Sequence, residues 1–203
     1  MNIFTDIRSL DELKNATQNY HSSFLVQQMV VGTEYRLLVY KGKLLGALRM
    51  IPPSVTGDGK LSIKDLIERT NRERARKILV GENVLKTLKK SGLSLDSIPQ
   101  KDEVVLLLKN SRLSEGGTTQ DTTDLVHPDF IRLAWEATRS VNLNLGGVDL
   151  IAEDITKSLS DQKAYLLEVN TYPDISIHYE PDVGISRPVA KLILQDIFFP
   201  PIL

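Results

Sequence analysis

The sequence predicts an α+β fold built on an antiparallel sheet with helices packed against it. Three observations carry that expectation. The apolar runs EYRLLVY and KLLGALRMI, residues 34–40 and 43–51, follow each other through a turn at Lys41-Gly42-Lys43 and read as consecutive antiparallel strands. Two further strands, GVDLIAED (147–154) and AYLLEVN (164–170), are separated by a polar connection. Between these pairs lies PDFIRLAWEATRSV (128–141), whose apolar residues recur at helical spacing.

Taken in order, Ser9 with Glu12 three residues later forms a reciprocal helix-start pattern, and a helix follows over about residues 10–20. The run FLVQQMV (24–30) precedes Gly32-Thr33 and reads as a strand. PPSVTGDGK (52–60) is rich in proline and glycine and reads as a loop, with Gly57 and Gly59 serving a turn rather than a phosphate cradle, because the spacing of a Walker loop is missing. Ser62 and Asp65 cap a helix whose apolar stripe is Ile63, Leu66 and Ile67. The charged section 71–103 contains an amphipathic helix in ENVLKTLKKSG, ended by Gly92, and has the character of an inserted subdomain. EVVLLLK (103–109) reads as a strand and the polar stretch 110–124 as a loop. The helix at 128–141 has Pro128 near its start and turns Phe130, Ala134, Ala137 and Val141 to one face, with Trp135 in packing. RPVAKLILQDIFF (187–199) supplies a last helix with Val189, Leu192 and Ile193 inward.

Composition narrows the function. With 203 residues the chain can bury a substantial core, and 25 basic against 26 acidic residues leave no electrostatic footprint for nucleic acid or an anionic membrane. Cysteine is absent, which excludes disulfides, thiolate metal sites and thiol nucleophiles and suits a reducing cytoplasm. The opening residues lack a secretory pattern and no stretch is long enough to span a bilayer, so a cytoplasmic protein without membrane partners is expected.

The chemistry concentrates in two strands. Glu168 and Asn170 share one face of an apolar strand, and Asp149 lies inside the apolar strand before it. A carboxylate among apolar neighbours needs an ion partner or a bound cation. Antiparallel pairing would bring the three side chains together, and two carboxylates with an amide oxygen suit a hard cation such as Mg2+ better than zinc. Pairing of Asp149 and Glu168 with Arg36, Arg49 or Lys109, or capping of turns, satisfies the same spacing.

LLEVNTYP together with GVDLI resembles the metal-binding end of an ATP-grasp ligase. The likeness extends, in order, over the stretch from VQQMVVGTEYRLLVYKGKLLGALRMIPPSVTGDGK onward, through GLSLDSIP and LSEGGTTQDTTDLVHPDF to GGVDLIAEDIT. It is to ATP-grasp modules of the kind found in cyanophycin synthetase and in the bifunctional glutathione-forming enzyme. The resemblance implies the carboxy-terminal lobe of that fold with the last part of its nucleotide-binding lobe. It implies an ATP- and Mg2+-dependent ligase that joins a carboxylate to an amine through an acyl phosphate, acting on an amino acid or peptide. By resemblance, residues 1–50 close the nucleotide lobe with a hinge strand, 51–100 are the inserted segment, and 101–203 form the lobe with the metal site.

The resemblance also implies roles. Gln27, Gln28, Met29 and Val30 would meet the adenine and Glu34 the ribose hydroxyls. Asp149, Glu168 and Asn170 would hold magnesium, Arg36, Arg49 and Lys60 would face phosphate or acyl phosphate, and Asp174 and His178 would line the substrate end. His21 and His127 have no chemical case. Three positions depart from the pattern: Gln27 replaces glutamate, Arg112 replaces asparagine, and Asp174 replaces glycine, so the substrates do not transfer from any relative. The hinge run begins about 25 residues into the chain, so the lysine-bearing strands and glycine-rich flap are expected to be missing. Alone, the chain is then expected to be inactive and either self-associating or part of a longer protein, with a non-catalytic nucleotide-binding remnant as the alternative.

Overall fold

The computed structural model describes residues 7, 9–20 and 23–199, which divide into two compact units meeting in sequence between Val31 and Gly32. In the first unit the helix α1 (Leu10–Thr17) starts where Ser9 accepts a hydrogen bond from the Glu12 N–H at 3.1 Å. The stretch 23–31, expected to contain a strand, has no regular structure. A strand is stable only when a neighbour takes its backbone groups, and no described strand pairs with this one. His21 lies outside the described residues.

The second unit is organised by a five-stranded antiparallel sheet in the order β5-β2-β1-β6-β7. Its members are β1 (Thr33–Tyr40), β2 (Lys43–Ile51), β5 (Thr118–Asp121), β6 (Leu145–Ala152) and β7 (Ala164–Asn170). Lys41 and Gly42 both have positive φ, 45° and 81°, which gives the two-residue hairpin turn whose twist matches its strands. On one face Tyr35, Leu37, Val39, Ala47, Val148 and Leu150 pack against Phe130 and Ala134 of α4 (Pro128–Ser140). Thr138, not Val141, completes the inward side of α4: its hydroxyl donates to the Ala134 carbonyl at 2.7 Å, while Val141 caps the helix and is exposed. His127 caps the start of α4, Nδ1 accepting from the Asp129 N–H.

A second core is made by α2 (Ile63–Glu73), α3 (Glu82–Lys90) and a two-stranded ribbon, β3 (Ser54–Thr56) with β4 (Val104–Leu106). Ile63, Leu66 and Ile67 are its buried stripe, joined by Val84, Leu88, Val105 and Leu107. Two stretches read as loop therefore contain strands. Ser54–Thr56 follows two prolines, yet a distant partner takes its backbone, and the Leu107 N–H reaches the Pro53 carbonyl at 2.9 Å. Thr118–Asp121 is polar, but the edge of β2 offers it a ladder. Conversely, only three residues of 103–109 pair as strand.

The other face of the main sheet is covered by the return segment after β7 and by α5 (Val189–Phe198). Val189 is buried there and Ile193 packs at the margin, whereas Leu192 is exposed, because α5 lies at the edge and buries only a narrow stripe. β7 is likewise an edge strand, with Leu166, Leu167 and Glu168 exposed. No described helix is long and apolar enough to cross a membrane.

Candidate functional site

Register builds the site. Directly opposed residues of an antiparallel sheet project to one face, and one row runs Asp121, Leu48, Arg36, Asp149, Glu168 across all five strands. The next row runs Gly46, Leu38, Gly147, Asn170. The pairing of β6 with β7 shifts between Asp149 and Leu150, leaving Leu167 as the extra residue of a bulge. The bulge separates Glu168 from Leu166: strict alternation would place both on one face, but Leu166 now opposes core-facing Leu150 while Glu168 opposes Asp149.

The resulting contacts are close. Arg36 forks Asp149, Nε to Oδ1 at 2.6 Å and Nη2 to Oδ2 at 2.5 Å. The Asn170 amide donates to Asp149 Oδ2 and to Glu168 Oε1, each at 3.1 Å. The Asp149 side chain is 8% exposed and that of Arg36 23%, so the pair is largely screened from solvent by protein. Glu34 stands two residues from Arg36 on the same face. Burial raises its pKa; Asp149 and Glu168 add to that, while hydrogen bonding to Ser111 and the charge of Arg36 oppose it. Arg36 thus pairs with Asp149 within the field of two further carboxylates, Glu34 and Glu168.

Two glycines let the return segment lie flat on this face. A Cβ on Gly147 would stand 2.7 Å from Pro173 Cβ, and one on Gly46 would stand 2.5 Å from His178 Nδ1. Asp174 accepts from the Ser176 hydroxyl at 2.6 Å and its N–H at 2.9 Å, bonds that with Arg36 hold its carboxyl below the usual range. His178 is fully buried, and neither ring nitrogen has a hydrogen-bond partner. Burial, with the charge of Arg36, pushes its pKa down to about 4, so the imidazole is neutral near pH 7. Arg187 ties the segment to the sheet: its N–H donates to the His178 carbonyl at 2.8 Å, and its guanidinium reaches Asp121 at 2.6 Å and Asp124 at 2.7 Å.

Of the residues singled out from sequence, the fold gathers Glu34, Arg36, Asp149, Glu168 and Asn170, with Asp174 and His178 near Arg36. It does not bring Arg49 to them. Arg49 opposes Tyr35 and Gln120 on the α4 face and is exposed. Lys60 is exposed ahead of α2, with its N–H on Asp58 Oδ1 at 2.9 Å, and no ion pair joins its side chain to the cluster. Gln27, Gln28, Met29 and Val30 lie in the first unit. Sequence reasoning passed over Gly46, Asp121 and Arg187. The signals available were a glycine inside an apolar strand and an arginine preceding a proline, and neither points to a partner by itself.

Among the described residues no three His, Cys, Asp or Glu side chains are grouped to hold a metal ion. The two carboxylates reach three donors only with Asn170, whose amide already touches both and presents oxygen when turned end for end. That donor set is hard and oxygen-only, and its excess negative charge fits a divalent cation such as magnesium.

In fold the chain is an α+β segment of the ATP-grasp kind, and it is homologous to ATP-grasp ligases. No protein-family profile matches it. A cyanophycin synthetase of Synechocystis sp. is 35% identical over 194 residues, spanning 91% of this chain and 22% of that protein. A glutathione biosynthesis bifunctional protein of Clostridium perfringens is 33% identical over 186 residues, 87% of this chain and 24% of that one. The crystal structure of a bifunctional glutathione synthetase from Pasteurella multocida superposes with a TM-score of 0.70 at 33% identity, covering 84% of this chain and 24% of the other. The chain therefore spans about a quarter of the length of the curated relatives it matches.

Proposed function

We propose that this chain serves ATP-dependent ligation of a carboxylate to an amine through an acyl phosphate. One observation carries the reading: Glu34, Asp149 and Glu168 gather on one sheet face around Arg36, which forks Asp149, with the Asn170 amide between Asp149 and Glu168. A triphosphate would be repelled by that face unless a cation joined the two. Asp149, Glu168 and Asn170 would hold Mg2+, which supplies charge neutralisation at the phosphates when bound. Arg36, the cation that forks Asp149, would steady the transferring phosphoryl group or the acyl phosphate.

In the reaction a substrate carboxylate oxygen forms a bond to the γ-phosphorus as the bond to the β-phosphate oxygen breaks, releasing ADP. The amine then attacks the acyl carbon, phosphate leaves, and the amine proton passes to solvent. Glu34 would accept from the ribose hydroxyls. The return segment would bound the substrate. There Asp174, charged and beside Arg36, favours a cationic amine over a second carboxylate. An amino acid or short peptide in the cytoplasm fits this chemistry and a cysteine-free chain.

Glu168→Gln tests the reading, because it removes one anionic ligand at constant volume from an exposed position. Calorimetric titration with Mg-ATP should show affinity falling by about tenfold or more while the far-UV spectrum and melting temperature hold. Unchanged magnesium-dependent binding would refute the ligand assignment.

A further inference from the structure

We propose that Arg36 is the resident counter-ion of Asp149, competing with any divalent cation at Asp149, Glu168 and Asn170, so that the site resists bare metal and accepts metal together with an anion. The inference rests on the metal reading above and concerns what Arg36 does to it. The pair is built by the sheet: Arg36 and Asp149 are opposed in the β1 to β6 register, which fixes their stems side by side. Both Asp149 oxygens are engaged by the fork, and Oδ2 also takes the Asn170 amide. Asn170 presents its N–H groups to both carboxylates.

A doubly charged ion at these oxygens would lie within a few ångström of the guanidinium, and like charges at that distance in a shielded site repel strongly. Metal entry must therefore loosen the fork. A loosened Arg36 regains a partner when the incoming cation carries a phosphate, since a planar guanidinium pairs with phosphate as readily as with carboxylate. Arg36 thus lowers affinity for the free ion and raises it for the ion bound to a phosphate anion, a coupling between two ligands through one side chain. Glu34 and Glu168 add negative charge around the fork, so removal of the guanidinium leaves Asp149 without the cation that engages both of its oxygens.

The test titrates Mg2+ alone, without nucleotide, into the full chain and into Arg36→Met and Arg36→Lys, with melting temperatures in EDTA and in excess Mg2+. Arg36→Met should bind Mg2+ about tenfold tighter than the unsubstituted chain, yet bind Mg-ATP more weakly. Arg36→Lys keeps the charge without the fork and should fall between. Arg36→Met should melt lower in EDTA and recover with Mg2+; if it folds only in Mg2+, that too supports the exchange. Mg2+ binding by Arg36→Met that is undetectable, equal to or weaker than that of the unsubstituted chain overturns the proposal, as does failure to fold in Mg2+ combined with no gain in Arg36→Lys. The metal reading fails separately if Glu168→Gln in the Arg36→Met background leaves Mg2+ binding unchanged.

Discussion

Acidification should destabilise this protein through His178 before its surface carboxylates contribute much. The imidazole is fully buried without a hydrogen-bond partner, and its pKa is pushed from 6.5 to about 4, chiefly by burial and then by Arg36. A folded-state value below the unfolded one means that the unfolded chain takes up the proton first. The stabilisation is therefore complete above pH 6.5 and is lost as pH falls toward 4. At about 1.4 kcal/mol per unit, the full window amounts to about 3 to 4 kcal/mol, a large share of the stability of an ordinary domain. Glu34, whose pKa is raised, contributes in the opposite sense, with stability lost as pH rises. Asp58, held down to about 2 by backbone N–H groups of Leu61 and Lys60, loses its contribution only at still lower pH. Urea unfolding at pH 7.5 and 4.5, for the natural chain and for His178→Gln, separates these contributions, because carboxylates titrate equally in both. The natural chain should lose about 2 to 3 kcal/mol more than the variant. Equal losses would show that His178 is not held neutral and that the return segment does not shield it.

Two further outcomes follow from the same face. Gly46→Ala places a methyl 2.5 Å from His178 Nδ1 and should cost about 1 to 3 kcal/mol by urea unfolding, a cost that His178→Ala in the same chain should relieve. Arg187→Met leaves Asp121, whose side chain is 4% exposed, without its main counter-ion and should lower unfolding free energy by about 3 kcal/mol or more, whereas Arg187→Met with Asp121→Asn should recover much of it.

Pattern alone made much of the fold legible. Helix starts at Ser9, Ser62 and Pro128 follow from local capping, and each forms where its capping residues stand. The hairpin turn at Lys41-Gly42 is equally local, since positive φ at successive residues selects its own sequence. The pairing of Glu168 with Asp149, and the nearness of Asn170, were inferable from alternation and short connections. Neighbouring residues dominate all of these features.

What the sequence could not determine depends on partners distant along the chain. FLVQQMV has the composition of a strand, but composition does not supply a neighbouring ladder, whereas polar TTQD and proline-flanked SVT become strands because distant backbones receive them. The face reached by an arginine depends on register: Arg36 and Arg49 are equally plausible by type, yet one forks Asp149 and the other lies on the α4 side. A one-residue bulge at Leu167 decides that Glu168 and Leu166 part. His178 and Arg187 acquire meaning only when Gly46 and Gly147 let the return segment close on the sheet. Local sequence thus determined the elements and the acidic pair, while tertiary structure decided which charges meet, because hydrogen-bond register and burial are set by residues far apart in the chain.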